Sequence, residues 1–216
     1  MEEIDPRLRS ALAVQLERRR AALAGGARHV GWKLGLGERE RIGKGPVVGH
    51  LTTATQLAPG GVYEDQAAAL HADAEVALVF GPEAAIVGFA AALELVDLAR
   101  PPDDPECVVA ANVFHRAFAL GPSRRDLPAG VEARLIVDGE ARAAAAAPTE
   151  FAEKVGAAAR ILAAMGESLR PGDVMITGSV VQVPVAAGNE VVADFGLLGR
   201  VAVVVARPGI SAPDGR

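Results

Sequence analysis

Residues 71–81 read HADAEVALVFG, a run that alternates like a strand yet sets Asp73 and Glu75 two residues apart. Residues two apart on a strand share a face, so the two carboxylates stand side by side. They repel each other, and each costs free energy if it leaves water unpaired. Glu94 is a third carboxylate in apolar surroundings, FAAALELVDLA. Two arrangements relieve such a trio. Either the positions face solvent on an edge strand, or they point inward and a hard divalent cation balances them, since all-oxygen sites suit Mg²⁺, Mn²⁺ or Ca²⁺.

Lys33 is the second unusual residue. Of the 22 Lys and Arg, only Lys33, Lys44 and Lys154 are lysine. An ammonium inside VGWKLGLG either works as an acid/base group in an apolar setting or snorkels out from a strand edge. Other chemistries find no support. GLGERERIGKG has Glu40 where a dinucleotide fingerprint needs Gly, and Gly43-Lys44 lacks the flanking residues of a phosphate loop. No G-x-S-x-G elbow surrounds Ser123 or Ser179, and the His residues show no zinc spacing. Cys107 is the one cysteine, so no internal disulfide forms, and it is expected to be buried and inert.

The elements that must position these groups are short. Asp5-Pro6 starts a helix with Leu8, Leu12 and Leu16 on one face, and Gly25-Gly26 stops it. The run Arg18-Arg19-Arg20 is expected to be a solvated helix end. From residue 29 onward the texture is apolar strands punctuated by Gly and Pro, with GERERIGKGPVVGH expected as a loop. GVEARLIVDGEA alternates and then offers Asp138-Gly139 as a hairpin turn. A second helix follows Pro148-Thr149, with Phe151, Val155, Ala158, Leu162 and Met165 as its core stripe. The net charge of −5 and scattered basic residues argue against nucleic-acid binding. An acidic first segment and no long apolar run argue against a signal peptide or a membrane span, so a soluble, cytoplasmic protein is expected.

VGWKLGL, GHLTTA, HADAEVALVFG, ALELVDL, AANVFHRAFALG, GDVMITGS and VVADFGLLGRVAVVV follow in the order seen in the fumarylacetoacetate hydrolase superfamily. The set most resembles its 2-keto-4-pentenoate hydratase and 4-oxalocrotonate decarboxylase branch, from about residue 15 to residue 206. The resemblance implies an α+β fold with a β-rich mixed-sheet core and outer helices. An N-terminal helical segment (1–26), a catalytic domain (27–206) of that family's type and a tail (207–216) are expected. The resemblance implies that Asp73, Glu75 and Glu94 hold Mg²⁺ or Mn²⁺, that Lys33 moves protons, and that Thr177, Gly178 and Ser179 line the substrate pocket.

Several positions depart from the family pattern. Asp73 stands where Glu is usual, His71 where Arg is usual, and Thr53 where the hydratase branch has an acid. His50, His71 and His115 fall in segments that border the pocket. Either one of them replaces a lost acid/base group, with His71 the leading choice and His50 placed at the substrate, or they are ordinary polar residues. The implied function is a metal-dependent, hydratase-like lyase of a small 2-oxo or 2-hydroxydienoic acid, acting through a metal-bound enolate. The alternatives are a decarboxylase or C–C hydrolase on a similar acid, or a non-catalytic partner subunit. A homo-oligomer is expected, with a partner enzyme of the same pathway as a further expectation.

Overall fold

The computed structural model describes residues 4–35, 46–64, 67–99 and 104–206. The expected tail 207–216 and most of the Gly- and charge-rich loop lie outside them. Helix α1 (Pro6–Ala24) begins where the Asp5 side chain accepts the Arg7 N–H at 2.9 Å and ends at Gly25. Leu8, Leu12 and Leu16 are buried as their spacing predicts. Arg19 is not part of a solvated helix end. It is 4% exposed, donates to Glu167 Oε1 at 3.0 Å and stacks over Trp32 at 4.7 Å. The turn of the helix places Arg19 on the same buried side as Leu12 and Leu16, so the middle Arg of the run leaves solvent while its neighbours stay out.

Thirteen strands follow in order among the described residues: β1 (His29–Gly35), β2 (Val47–Thr52), β3 (Gln56–Leu57), β4 (Gly61–Tyr63), β5 (Leu70–Phe80), β6 (Ile86–Asp97), β7 (His115–Leu120), β8 (Glu132–Val137), β9 (Glu140–Ala146), β10 (Val174–Ile176), β11 (Val181–Pro184), β12 (Glu190–Asp194) and β13 (Arg200–Val205). The first sheet runs β2-β1-β10-β5-β6-β7-β3, with β11 also on β5, and the second runs β4-β13-β12-β8-β9. Residues 47–50 therefore form a strand where the composition predicts loop. Val47 and Val48 are buried there, which the surrounding glycines and charges hide.

Helix α2 (Pro105–Ala110) is capped by Asp104, whose carboxylate accepts the Cys107 N–H at 2.9 Å. It buries Val108 and Val109, which leaves Cys107 on the exposed side, contrary to the expected burial. Helix α3 (Ala152–Ala164) buries Ala158 and Leu162 behind Phe151 as expected, with Met165 packed on the core. The β8–β9 turn has φ of 51° at Asp138 and 80° at Gly139, the two positive values a type I′ hairpin needs. No described helix is long and apolar enough to cross a membrane.

The two faces of the first sheet differ. Ala72, Ala74, Val76 and Leu78 of β5 join Leu135, Val191 and Val203 of the second sheet in the main core. Burying a side chain such as Leu78 is worth roughly 1.5–3 kcal/mol. The opposite face carries a smaller apolar cluster of Leu51, Ala77, Ala90, Ala92, Phe118 and Ile176. Asp73, Glu75 and Glu94 lie on that second face by the alternation of β5 and β6.

Candidate metal centre

The β5–β6 pair builds the carboxylate cluster directly. Asp73 is in register with Glu94, and Glu75 with Ala92, so Asp73 and Glu94 face each other across the ladder while Glu75 follows on the same face. All three are buried, at 5%, 2% and 1% exposure. One carboxylate oxygen from each lies within 4.8 Å of the others. The strand is not a solvent-facing edge, because β6 pairs one side of β5 and β10 and β11 pair the other.

Between β10 and β11 the chain leaves the ladder at residues 177–180, beside Glu75. Thr177 anchors this crossover, with its N–H and hydroxyl donating to Val76 O at 3.2 and 3.0 Å. Gly178, at φ 92°, then turns its N–H onto Glu75 Oε2 at 2.7 Å. A residue with a side chain would resist that left-handed backbone.

Lys33 reaches the cluster from β1, three strands away from β6 in the sheet order. Strands lie about 4.8 Å apart, so a flat sheet would separate them by more than the two side chains span. The sheet curls instead, and Lys33 Nζ donates to Glu94 Oε1 at 2.5 Å and to Val113 O at 3.0 Å. That carbonyl is presented by three successive residues in left-handed conformation, Asn112, Val113 and Phe114, at φ 66°, 54° and 64°. Such backbone is uncommon outside glycine and collects at functional sites. His115 follows. Its Nδ1 lies 2.6 Å from Glu94 Oε1 and its Nε2 lies 2.9 Å from the Thr55 hydroxyl. Burial holds its imidazole neutral, so Nδ1–H donates to the carboxylate and Nε2 accepts from Thr55.

Electrostatics divides the three carboxylates. Burial alone would raise Glu94, but Lys33 and His115 more than offset it and hold the group down at about 2. Burial, then the Glu94 charge, pushes Asp73 up to about 7, against the pull of Gln182, Lys33 and Ser179. Glu75 is driven well above the usual range by burial and by both acidic neighbours. Asp73 Oδ1 is buried with no hydrogen-bond partner. An orphaned carboxylate oxygen among three buried acids is what a hard divalent cation would satisfy, and the all-oxygen donor set fits Mg²⁺ or Mn²⁺.

The other residues singled out in the sequence are spread more widely. His71 shares the face of Asp73 and Glu75, and its Nδ1 lies 3.0 Å from Ala69 O. The Nδ1–H donates to that carbonyl, which orients the ring. His50 pairs in register with Trp32, one residue from the Lys33–Gly49 pair, so its imidazole belongs to the opposite face. Burial, then His115, Arg19 and His29, lowers it to about 3. Thr177 spends its hydroxyl on the β5 backbone, Gly178 touches Glu75, and Ser179 is exposed. Thr53 accepts the Arg28 N–H at 2.9 Å and supplies no acid to the cluster. Sequence reasoning missed the Lys154 contact with Thr177 O at 3.0 Å.

No family model and no curated protein matches the chain. Solved structures do. The chain is similar to 4-oxalocrotonate decarboxylase from Pseudomonas putida G7, complexed with magnesium and adipate, at 25% identity over 92% of this chain and 86% of that one, with a TM-score of 0.81. Fumarylpyruvate hydrolase from Pseudomonas aeruginosa, in complex with Mn²⁺ and pyruvate, matches at 19% identity, 83% and 89% coverage and a TM-score of 0.58. A 2-hydroxyhepta-2,4-diene-1,7-dioate isomerase from Mycobacterium marinum matches at 19% identity, 85% and 78% coverage and a TM-score of 0.62. The last two show a shared fold.

Proposed function

We propose a divalent-metal-dependent lyase of small 2-oxo acids, in the 2-keto-4-pentenoate hydratase and 4-oxalocrotonate decarboxylase branch of the fumarylacetoacetate hydrolase superfamily, a placement supported by the likeness to 4-oxalocrotonate decarboxylase. The observation that carries the reading is the trio of buried carboxylates with an orphaned Asp73 oxygen. Asp73, Glu75 and Glu94 would hold Mg²⁺ or Mn²⁺. The bound cation supplies Lewis-acid stabilisation for negative charge on the oxygens of a 2-oxo acid.

The side chains divide the remaining work. Lys33, fixed by Glu94 and Val113, keeps one ammonium hydrogen to direct at the substrate. His71, oriented through Ala69 O, offers Nε2 to take up or return a proton at carbon. Leu51, Ala77, Ala92 and Phe118 pack as an apolar cluster on the same face and keep that side of the carboxylates dry. Loss of CO₂ is better supported than addition of water. It needs one proton delivered after the C–C bond breaks, whereas hydration also needs a group to activate water, and Thr53, whose oxygen accepts the Arg28 N–H, is no acid or base at neutral pH.

The test is exchange of the C3 hydrogens of 2-oxobutanoate for deuterium, followed by NMR in D₂O. Exchange that requires Mg²⁺ or Mn²⁺ and is lost in Glu75→Gln supports enolising chemistry. A folded, metal-loaded protein without exchange refutes it and leaves the partner-subunit reading. CO₂ release against hydrated product from an unsaturated 2-oxo diacid then separates the two lyase reactions.

A further inference from the structure

Three local costs fall on Lys154. It sits in the first turn of α3, where the helix dipole disfavours a cation. It is half-buried, and burial lowers its pKa. It forms no ion pair with a described residue. Its ammonium instead donates to Thr177 O at 3.0 Å.

That carbonyl belongs to the same peptide unit as the Gly178 N–H, which donates to Glu75 Oε2 at 2.7 Å. The Thr177–Gly178 unit is trans, since no cis peptide bond occurs among the described residues, and it points its C=O and N–H to opposite sides. Lys154 and Glu75 therefore grip the two ends of one peptide dipole. Bonds in such a series polarise one another. The peptide cannot swing freely, because Thr177 is fully buried and pinned to Val76 O twice. Glu94 is held directly by Lys33 and His115. Glu75 forms no such direct ion pair among the described residues; Lys33 acts on it from a distance, and Lys154 attracts it from behind the crossover.

We propose that Lys154 is a positioning residue that acts through the Thr177–Gly178 peptide, fixing Glu75 with one oxygen capped and the other left for the cation. The inference rests on the reading that Asp73, Glu75 and Glu94 hold a divalent cation. It predicts that Lys154 tunes metal affinity without touching the substrate.

Mn²⁺ is titrated calorimetrically into wild type, Lys154→Met and Lys154→Arg, with the metal-free melting temperature recorded for each. Oxalate is then titrated at saturating Mn²⁺. The expected result is Mn²⁺ binding weakened about tenfold in Lys154→Met, the scale of losses when groups orienting a ligand are removed. Lys154→Arg restores most of it, and oxalate affinity at saturating Mn²⁺ is unchanged. Unaltered Mn²⁺ affinity in Lys154→Met overturns the proposal, as does an equal loss in Lys154→Arg. A loss of oxalate affinity with Mn²⁺ affinity intact also overturns it, and assigns Lys154 to the substrate instead. Lys154→Gln stands in if the Met variant does not fold. Wild type that binds no Mn²⁺ defeats the metal reading itself, an outcome separate from all of these.

Discussion

The metal-free cluster should weaken the fold increasingly as pH rises, and Asp73→Asn isolates the effect. In the folded chain Asp73 titrates at about 7, against an ordinary 3.8. Between those values the folded state keeps a proton that the unfolded state has lost. Stability therefore falls as pH climbs through that window, and the cost is complete above the folded value. A displacement of about three pH units corresponds to about 4 kcal/mol at pH 8. The amide of the variant cannot ionise, so with part of that cost relieved by relaxation the metal-free variant should exceed wild type by about 2–4 kcal/mol at pH 8. In a chain of this size that is roughly 4–16 °C in melting temperature. Near pH 4 Asp73 is neutral in the fold, and the gap should close. Mn²⁺ at a thousand times Kd should reverse the order, because a ligand at that level adds about 4.1 kcal/mol to the form that binds it. Thermal melts of chelated protein at pH 4, 6 and 8, with and without Mn²⁺, read all of this. A metal-free Asp73→Asn variant less stable than wild type at pH 8 would refute the reasoning, as would a gap that does not change with pH.

Two further outcomes follow from the packing. A Cβ at Gly49 would lie 2.6 Å from Lys33 Cγ and 2.7 Å from Asn112 Oδ1. Gly49→Ala should therefore displace Lys33 from Glu94 and lower kcat by at least about tenfold, since small misplacements in a site are costly; steady-state kinetics on the accepted 2-oxo acid check it. Arg19→Met strips Glu167 of its buried partner and Trp32 of its stacked cation. Because Glu167 keeps Arg170 at 3.4 Å, the loss should be about 2 kcal/mol rather than the roughly 3–5 of a fully buried broken pair. Urea melts should show the double variant Arg19→Met with Glu167→Leu recovering most of it.

Local signals carried much of the fold. The Asp5-Pro6 start, the Asp138-Gly139 turn and the alternation in β5 each follow from chemistry within a few residues. The Asp73–Glu75 pair was legible because period-two spacing alone puts both groups on one face. Glu94 stood out by its apolar surroundings, but its register with Asp73 is a long-range fact that spacing does not give. The same Asp-Pro signature that starts α1 recurs at 104–105 and starts α2, where the neighbouring acids obscured it. Burial of Arg19 and exposure of Cys107 depend on which side of a helix meets a sheet, which composition does not encode. His115 reaches Glu94 only because the β6–β7 register shifts between Leu95 and Val96. Lys154 gave no signal as a site residue, because it acts through a peptide bond 23 residues away.

The most direct measurement is calorimetric titration of oxalate into wild type and Glu75→Gln, each with and without Mn²⁺. Oxalate binding that requires Mn²⁺ and disappears in Glu75→Gln is the predicted result. Oxalate binding without metal, or undiminished in Glu75→Gln, would contradict a cation held by Asp73, Glu75 and Glu94.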